Sequence, residues 1–187
     1  MPRISDQERQ RRRDLVVAGA RLAFAKWGYH GCTVERLEQE LGQSRGAIFN
    51  WFPDKWRLFL AVSEADQRRI ADALSDPQLD LIGWIAGLDI PYAQAYAEAL
   101  GLVAHDPDKK REWEQRSPAL FDSVYAATEE RQGRGELRSD VSSRALIQFI
   151  LLFVDGLTLR RSVGYAMSDK DAQIMRALVL DAIGPRD

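Results

Sequence analysis

The chain has 187 residues, 45% of them hydrophobic and 29% charged, a globular balance with enough chain for one large domain or two small ones. A single cysteine, Cys32, excludes a disulfide framework and a multi-cysteine zinc site within one chain, and two histidines leave little for a histidine-rich metal centre. The net charge of −2 hides an asymmetry: residues 1–60 carry 11 Lys/Arg against 7 Asp/Glu, and residues 61–187 carry 15 against 21. A basic module joined to an acidic one suits a protein that offers one end to a polyanion. No run approaches the length of a membrane span and no apolar core follows the N-terminal arginines, so the expected location is cytoplasmic.

Apolar spacing is helical almost throughout, and no period-2 strand or Asn-Gly or Asp-Gly hairpin signal stands out; the fold class expected is all-α. Arg9, Arg11, Arg12 and Arg13 precede a first helix whose apolar positions are read as Leu15, Ala18, Leu22 and Ala25, ending at Gly28 with Gly31 beyond. Thr33 is placed to cap a second, short helix carrying Val34, Leu37 and Leu41, which Gly42 ends. Ser44 caps a third helix with Ala47, Ile48 and Phe52 inward. Pro53-Asp54 breaks it, and Asp54 caps a long fourth helix through about Leu74. Helices are expected after Asp76-Pro77, before and after Pro91, and after Asp106-Pro107, where Pro107 takes the first helical turn. Pro118 kinks or divides the next segment, and Gly133 and Gly135 mark a turn. Ser142 opens a helix to about Val163, and Ser168 with Asp171 caps the last one.

The functional signal is TVERLEQELGQSRGAIFNWF, Thr33 to Phe52. It reads as two short helices around the turn Gly42-Gln43-Ser44, with Leu37, Leu41 and Ile48 packed between them. The second of the two begins with Arg45, Gly46 and Ala47. Small residues there let the backbone approach DNA, and Arg45 can reach a guanine edge or a phosphate. This is the logic of a helix-turn-helix, in which a slim helix end enters the major groove. An ordinary helical hairpin shares the spacing.

The longer run FAKWGYHGCTVERLEQELGQSRGAIFNWFPDKWRLF resembles the DNA-binding signature of the tetracycline-repressor (TetR/AcrR) family of regulators. The resemblance rests on Phe24…Gly28-Tyr29…Thr33, Leu41-Gly42-x-Ser44, Gly46-x-Ile48-Phe49-x-x-Phe52 and Asp54-Lys55 ahead of Leu58. It implies that Thr33 caps the second helix and touches a phosphate, and that Ser44, Arg45, Gly46 and Ala47 lead the recognition helix. It further implies that Phe49, Asn50 and Trp51 face the groove or backbone and that Lys55 contacts a phosphate. Two positions depart from the family pattern. Phe49 stands where the family has Tyr, which removes a hydroxyl, and Glu38 replaces a small residue.

Domains are accordingly expected at 1–54, for DNA binding, and 55–187, for effector binding and dimerisation, with the helix 55–75 connecting them. A homodimer reads two half-sites of a double-stranded operator, and the expected interface is Phe149, Ile150, Phe153, Leu157, Ile174 and Leu178 on the last two helices. The middle region is rich in amphipathic rings, including Trp84. Its expected effector pocket comprises Gln67, Tyr92, Tyr96, Glu98, Trp113, Arg116, Phe121, Tyr125 and Asp155. Asp155 interrupts an apolar stripe and has three open roles: ligand binding, pairing with Arg116 or Arg160, or a bond across the interface.

LEQELGQSRGAIFNWFPDKWRLFLAVSEADQRR, DLIGWIAGLD and LRSDV are also similar to the actinobacterial aconitase repressors, which implies a citrate–Mg²⁺ effector. The corresponding middle helix, YAQAYAEALGLV, carries no arginine, and only Arg68, Arg69, Arg111 and Arg116 lie near it in sequence. No required cofactor and no resident metal is expected, and no nucleophile–base or phosphate-loop pattern points to an enzyme. The function expected is a ligand-responsive transcriptional regulator acting as a repressor. The alternative is a helical protein-interaction module.

Overall fold

Ser5 starts the first helix by accepting the Glu8 N–H at 3.2 Å, and α1 then runs Asp6–Gly31. A computed structural model describes residues 5–76, 92–116 and 118–186. The described residues form nine helices and no strand, which bears out the all-α expectation. After α1 come α2 (Val34–Leu41), α3 (Arg45–Phe49), α4 (Lys55–Ser75), α5 (Ala93–His105), α6 (Pro107–Gln115), α7 (Pro118–Gly133), α8 (Ser143–Ser162) and α9 (Asp169–Ile183). The helices expected after Asp76-Pro77 and before Pro91, together with Trp84, lie outside the described residues.

The helix boundaries follow the capping chemistry of the sequence. Thr33 Oγ1 accepts from Arg36 N at 3.3 Å, and Asp54 Oδ1 accepts from Arg57 N at 2.8 Å. Asp106 Oδ1 accepts from Asp108 N and Lys109 N, with Pro107 in the first turn. Ser142 and Ser168 cap α8 and α9. Gly28 breaks the helical path of α1 at φ 68° and ψ 177°, a region that only glycine occupies comfortably, and one more turn reaches Gly31. Gly42 ends α2 in the left-handed conformation.

The inward face of α1 differs from the expected one. Val16, Val17, Ala20, Ala23 and Phe24 are buried, whereas Leu15 is 53% and Leu22 58% exposed. Ala18 is exposed as well, and Ala25 is only half-buried. Both arcs satisfy the same helical period. The arc that wins carries Phe24, whose ring fits the core and brings the larger apolar area with it.

The described residues fall into two compact units. The first comprises residues up to Asp66 together with the segment from Pro91 to Arg116, and the second comprises the rest. This partition differs from a division at 54/55, because α5 and α6 pack with the N-terminal helices.

The core of the first unit is aromatic. Phe59 is fully buried, with Phe24 and Tyr29 each 5.4 Å from it edge-on and Trp56 at 6.0 Å. Arg21 Nε reaches both oxygens of Asp66 at 3.0 and 3.1 Å, joining α1 to α4. Glu112 accepts from Trp56 Nε1 at 2.8 Å and from Arg57 at 2.6 Å, joining α4 to α6.

The core of the second unit is aliphatic: Val124, Ala127, Leu137, Leu146, Ile147, Val179 and Ile183. Arg131 is buried there, donating to Glu136 at 2.9 Å and to the Asp76 carbonyl. Gln132 Nε2 holds the loop before α8 by donating to the carbonyls of Arg138 at 2.8 Å and Val141 at 2.9 Å.

Candidate nucleic-acid interface

Two buried side chains set the helix-turn-helix: Leu37 on α2 and Ile48 on α3, both at 0% exposure. They fix the turn-side faces of the two helices, so the opposite face of α3 is turned outward. Ser44 Oγ accepts the Ala47 N–H at 3.4 Å and starts α3 at Arg45. Arg45, Gly46 and Ala47 are all exposed, and a Cβ on Gly46 would meet open space. Ala47, expected to point inward, therefore sits on the outer face instead. Ile48 and Phe52 alone carry the inward packing at this end.

Asn50 is exposed, Trp51 and Phe49 are half-buried, and Thr33 is exposed beside the start of α2. The Arg9 guanidinium lies 5.8 Å from the Trp51 ring and that of Arg13 lies 5.0 Å from the Phe52 ring. The basic start of α1 is thus ordered against the end of the recognition segment. Glu8, paired with Arg11 at 2.8 Å and Arg12 at 2.7 Å, has its carboxyl pulled down to about 2 by those hydrogen bonds.

Lys55 occupies a post that sequence spacing does not show. Its Nζ donates to the carbonyls of Tyr29 at 2.8 Å and Cys32 at 3.2 Å, and lies 4.5 Å from the centre of the Tyr29 ring. Partial burial lowers its pKa. Two of its three donor directions are therefore committed to the end of α1. Arg36 completes this cap by donating to the Gly31 carbonyl at 2.6 Å while covering the Trp27 ring at 4.2 Å.

The nine residues expected around an effector divide between the two units. In the first, Tyr92 is 5% exposed, stacks edge-on to Phe59 at 6.4 Å and hydrogen-bonds to Asp66. Burial raises its pKa well above the usual value. Tyr96 lies against Trp113 at 5.6 Å, and Arg116 covers Trp113 at 3.2 Å. Glu98 accepts the His30 N–H at 2.7 Å and the Gln94 side chain at 2.9 Å, so it grips the turn after Gly28. These five side chains are built into the packing of α1, α4, α5 and α6.

The other four belong to the second unit. Phe121 and Tyr125 are 6.4 Å apart, and Arg144 lies over Tyr125 at 4.6 Å. Asp155 is half-buried on α8. Gln67 Oε1 is a buried acceptor with no hydrogen-bond partner among the described residues.

Of the six expected interface residues, Phe149, Ile174 and Leu178 are exposed at 42%, 49% and 59%. Ile150 and Phe153 are partly buried and pack on the aliphatic core. Leu157 lines a cavity of 290 Å³ between α8 and α9, together with Phe153, Met167, Met175, Arg161 and Arg176. This cavity escaped the sequence reading, although two methionines flanking a helix start were its available signal. No described helix is long and apolar enough to cross a membrane.

Residues 16–62 match the family model described as bacterial regulatory proteins, tetR family. The chain is 34% identical to the HTH-type transcriptional repressor Rv1474c of Mycobacterium tuberculosis, over 98% of this chain and 96% of the relative. It is 35% identical to the HTH-type transcriptional repressor AcnR of Corynebacterium jeikeium, over 84% and 85%. Among solved structures, E. coli NemR in its reduced form superposes with a TM-score of 0.66 at 15% identity, over 93% of this chain and 98% of NemR, a likeness of fold.

Proposed function

The chain belongs to the tetR family of bacterial regulatory proteins, and from that premise we propose that it is a repressor acting in the cytoplasm. It binds a two-fold-symmetric operator as a homodimer and is switched by a small molecule held in its C-terminal part. The observation that carries the DNA-binding role is the exposed edge Arg45-Gly46-Ala47, anchored from behind by buried Ile48 and started by the Ser44 cap. A cationic, narrow helix start held this rigidly suits the major groove. Repression is the action named for the relatives, and it comes to this chain as part of the proposal.

Dimerisation is supported by Phe149, Leu152, Ile174 and Leu178, which are apolar and 42%, 64%, 49% and 59% exposed. An effector that favours the dimer spacing unfit for the operator releases DNA; one that favours the fitting spacing tightens it. Gln67, with its buried acceptor, is a residue to which an effector donor would bond. Citrate with Mg²⁺, which the narrower resemblance implies, is the first compound to titrate.

Selection of bound sequences from a pool of randomised duplexes tests the reading. The expected result is an enriched motif of two half-sites whose centres lie about one helical turn, ~34 Å, or more apart. Arg45→Ala is expected to weaken binding to that motif by about 1–3 kcal/mol. Failure of the wild-type chain to enrich any sequence would overturn DNA binding and leave the protein-interaction alternative.

A further inference from the structure

We propose that Glu38 is a specificity-determining residue of this regulator, an inference that rests on the DNA-binding reading. Its Oε1 accepts the backbone N–H of Arg45 at 2.5 Å, across seven residues and from α2 to α3. That bond spans the tight turn and ties the first residue of the recognition helix to the helix behind it. A carboxylate acceptor makes such a bond short and strong. Ser44 meanwhile takes the Ala47 N–H, so both contacts hold the exposed edge in one orientation.

The carboxylate also brings a fixed negative charge to within hydrogen-bonding distance of the residue expected to read a base. The cations on the neighbouring stretch are engaged elsewhere: Arg36 on the Gly31 carbonyl and the Trp27 ring, Lys26 on Glu40 at 3.0 Å. The broad family pattern has a small residue where Glu38 stands, and a small side chain supplies neither the tie nor the charge. The two have separate consequences. The tie fixes the direction in which Arg45 leaves the backbone. The charge repels phosphates, which penalises any complex in which Arg45 is not seated on its base and the strand slides toward α2. Repulsion that bears on the wrong complexes more than on the right one raises specificity at a cost in total affinity.

Glu38→Gln separates the two, because an amide oxygen keeps the acceptor and removes the charge. Wild type, Glu38→Gln and Glu38→Ala are compared by fluorescence anisotropy on the selected operator and on a scrambled duplex, across a salt titration, with melting temperatures recorded alongside. For Glu38→Gln the scrambled duplex is expected to bind roughly five- to tenfold tighter. The operator gains less, and the salt slope steepens by about one phosphate equivalent. Glu38→Ala is expected to show the same rise on scrambled DNA together with a loss on the operator, because Arg45 is no longer held. If Glu38→Gln matches wild type in the ratio of the two affinities and in salt slope, and Glu38→Ala lowers only the melting temperature, the residue is structural and the proposal is overturned. Failure of wild type to select any operator would instead count against DNA binding itself.

Discussion

The two units bury and expose apolar surface in opposite ways. In the first, Phe24, Tyr29, Trp56, Phe59 and Tyr92 interlock, and charged side chains from α2, α4 and α5 cap the end of α1. Only Leu15 and Leu22 stand out among its described large apolar residues. In the second, the core is aliphatic and eight large apolar residues between Phe149 and Leu180 are at least 40% exposed. The first unit thus closes over its own core, and the second leaves large apolar side chains uncovered. Contiguous exposed apolar surface marks a place where another molecule binds. On the proposed function, the first unit carries the DNA-reading edge on a closed aromatic core, and pairing falls to the apolar surface of the second.

The largest loss is expected at Phe59, which joins four rings at the centre of the first unit. Phe59→Ala is expected to cost about 3–5 kcal/mol, read as an early denaturation midpoint with loss of DNA binding. Leu178 tests the other side. On the proposed pairing, a lysine at this exposed position puts a charge between the copies without entering the core, so Leu178→Lys is expected to weaken dimerisation by about 2 kcal/mol or more while leaving the monomer folded. Sedimentation against concentration checks the first part and helical circular dichroism the second. A variant that stays dimeric would move the pairing surface elsewhere.

Lys55 sharpens the boundary between holding the fold and holding DNA. Its ammonium binds two carbonyls at the end of α1, so Lys55→Met is expected to cost about 1–2 kcal/mol of stability. The remaining donor direction allows the phosphate contact that the family resemblance implies. On that proposal the variant also weakens binding to all sequences and lowers the salt slope by about one. An unchanged slope beside a lowered melting temperature would confine Lys55 to its capping post.

Local chemistry was legible in the sequence wherever a residue acts on its own neighbours. Ser44, Asp54, Asp106, Ser142 and Ser168 announce helix starts because a short side-chain oxygen serves amides two or three residues on. Gly28 and Gly42 announce breaks because the backbone there needs a conformation other residues resist. The inward arc of α1 was not legible, since Leu15 and Val16 fit the same period, and the arc is decided by Phe24, whose ring packs edge-on against Phe59 from another helix. The same limit applies to the effector set. Tyr92, Tyr96 and Trp113 look alike in sequence whether they line a cavity or fill a core, and what decides is contact with other helices, Phe59 against Tyr92 and Trp56 against Trp113. Glu38 and Lys55 were visible as residues in a motif. Their bonds to Arg45 N and to the end of α1 exist only after the turn has folded.

Cys32 gives the smallest effect and a clean sign. The thiol is fully buried, and burial pushes its pKa from 9.0 up to about 11. Between those values the folded chain keeps a proton that the unfolded chain has released, so this group's contribution is complete below pH 9.0 and is lost as pH rises toward 11. Cys32→Ala removes a small, well-packed atom and is expected to cost about 1 kcal/mol near neutral pH. The raised pKa of Tyr29 is common to both proteins and cancels, whereas Lys55 is coupled to Cys32, so the comparison reads the thiol together with its effect on Lys55. The stability advantage of wild type should therefore shrink steadily in alkaline denaturant titrations. An advantage that stays constant across that window would mean that water reaches the thiol, and that the aromatic core beside it is looser than its packing implies.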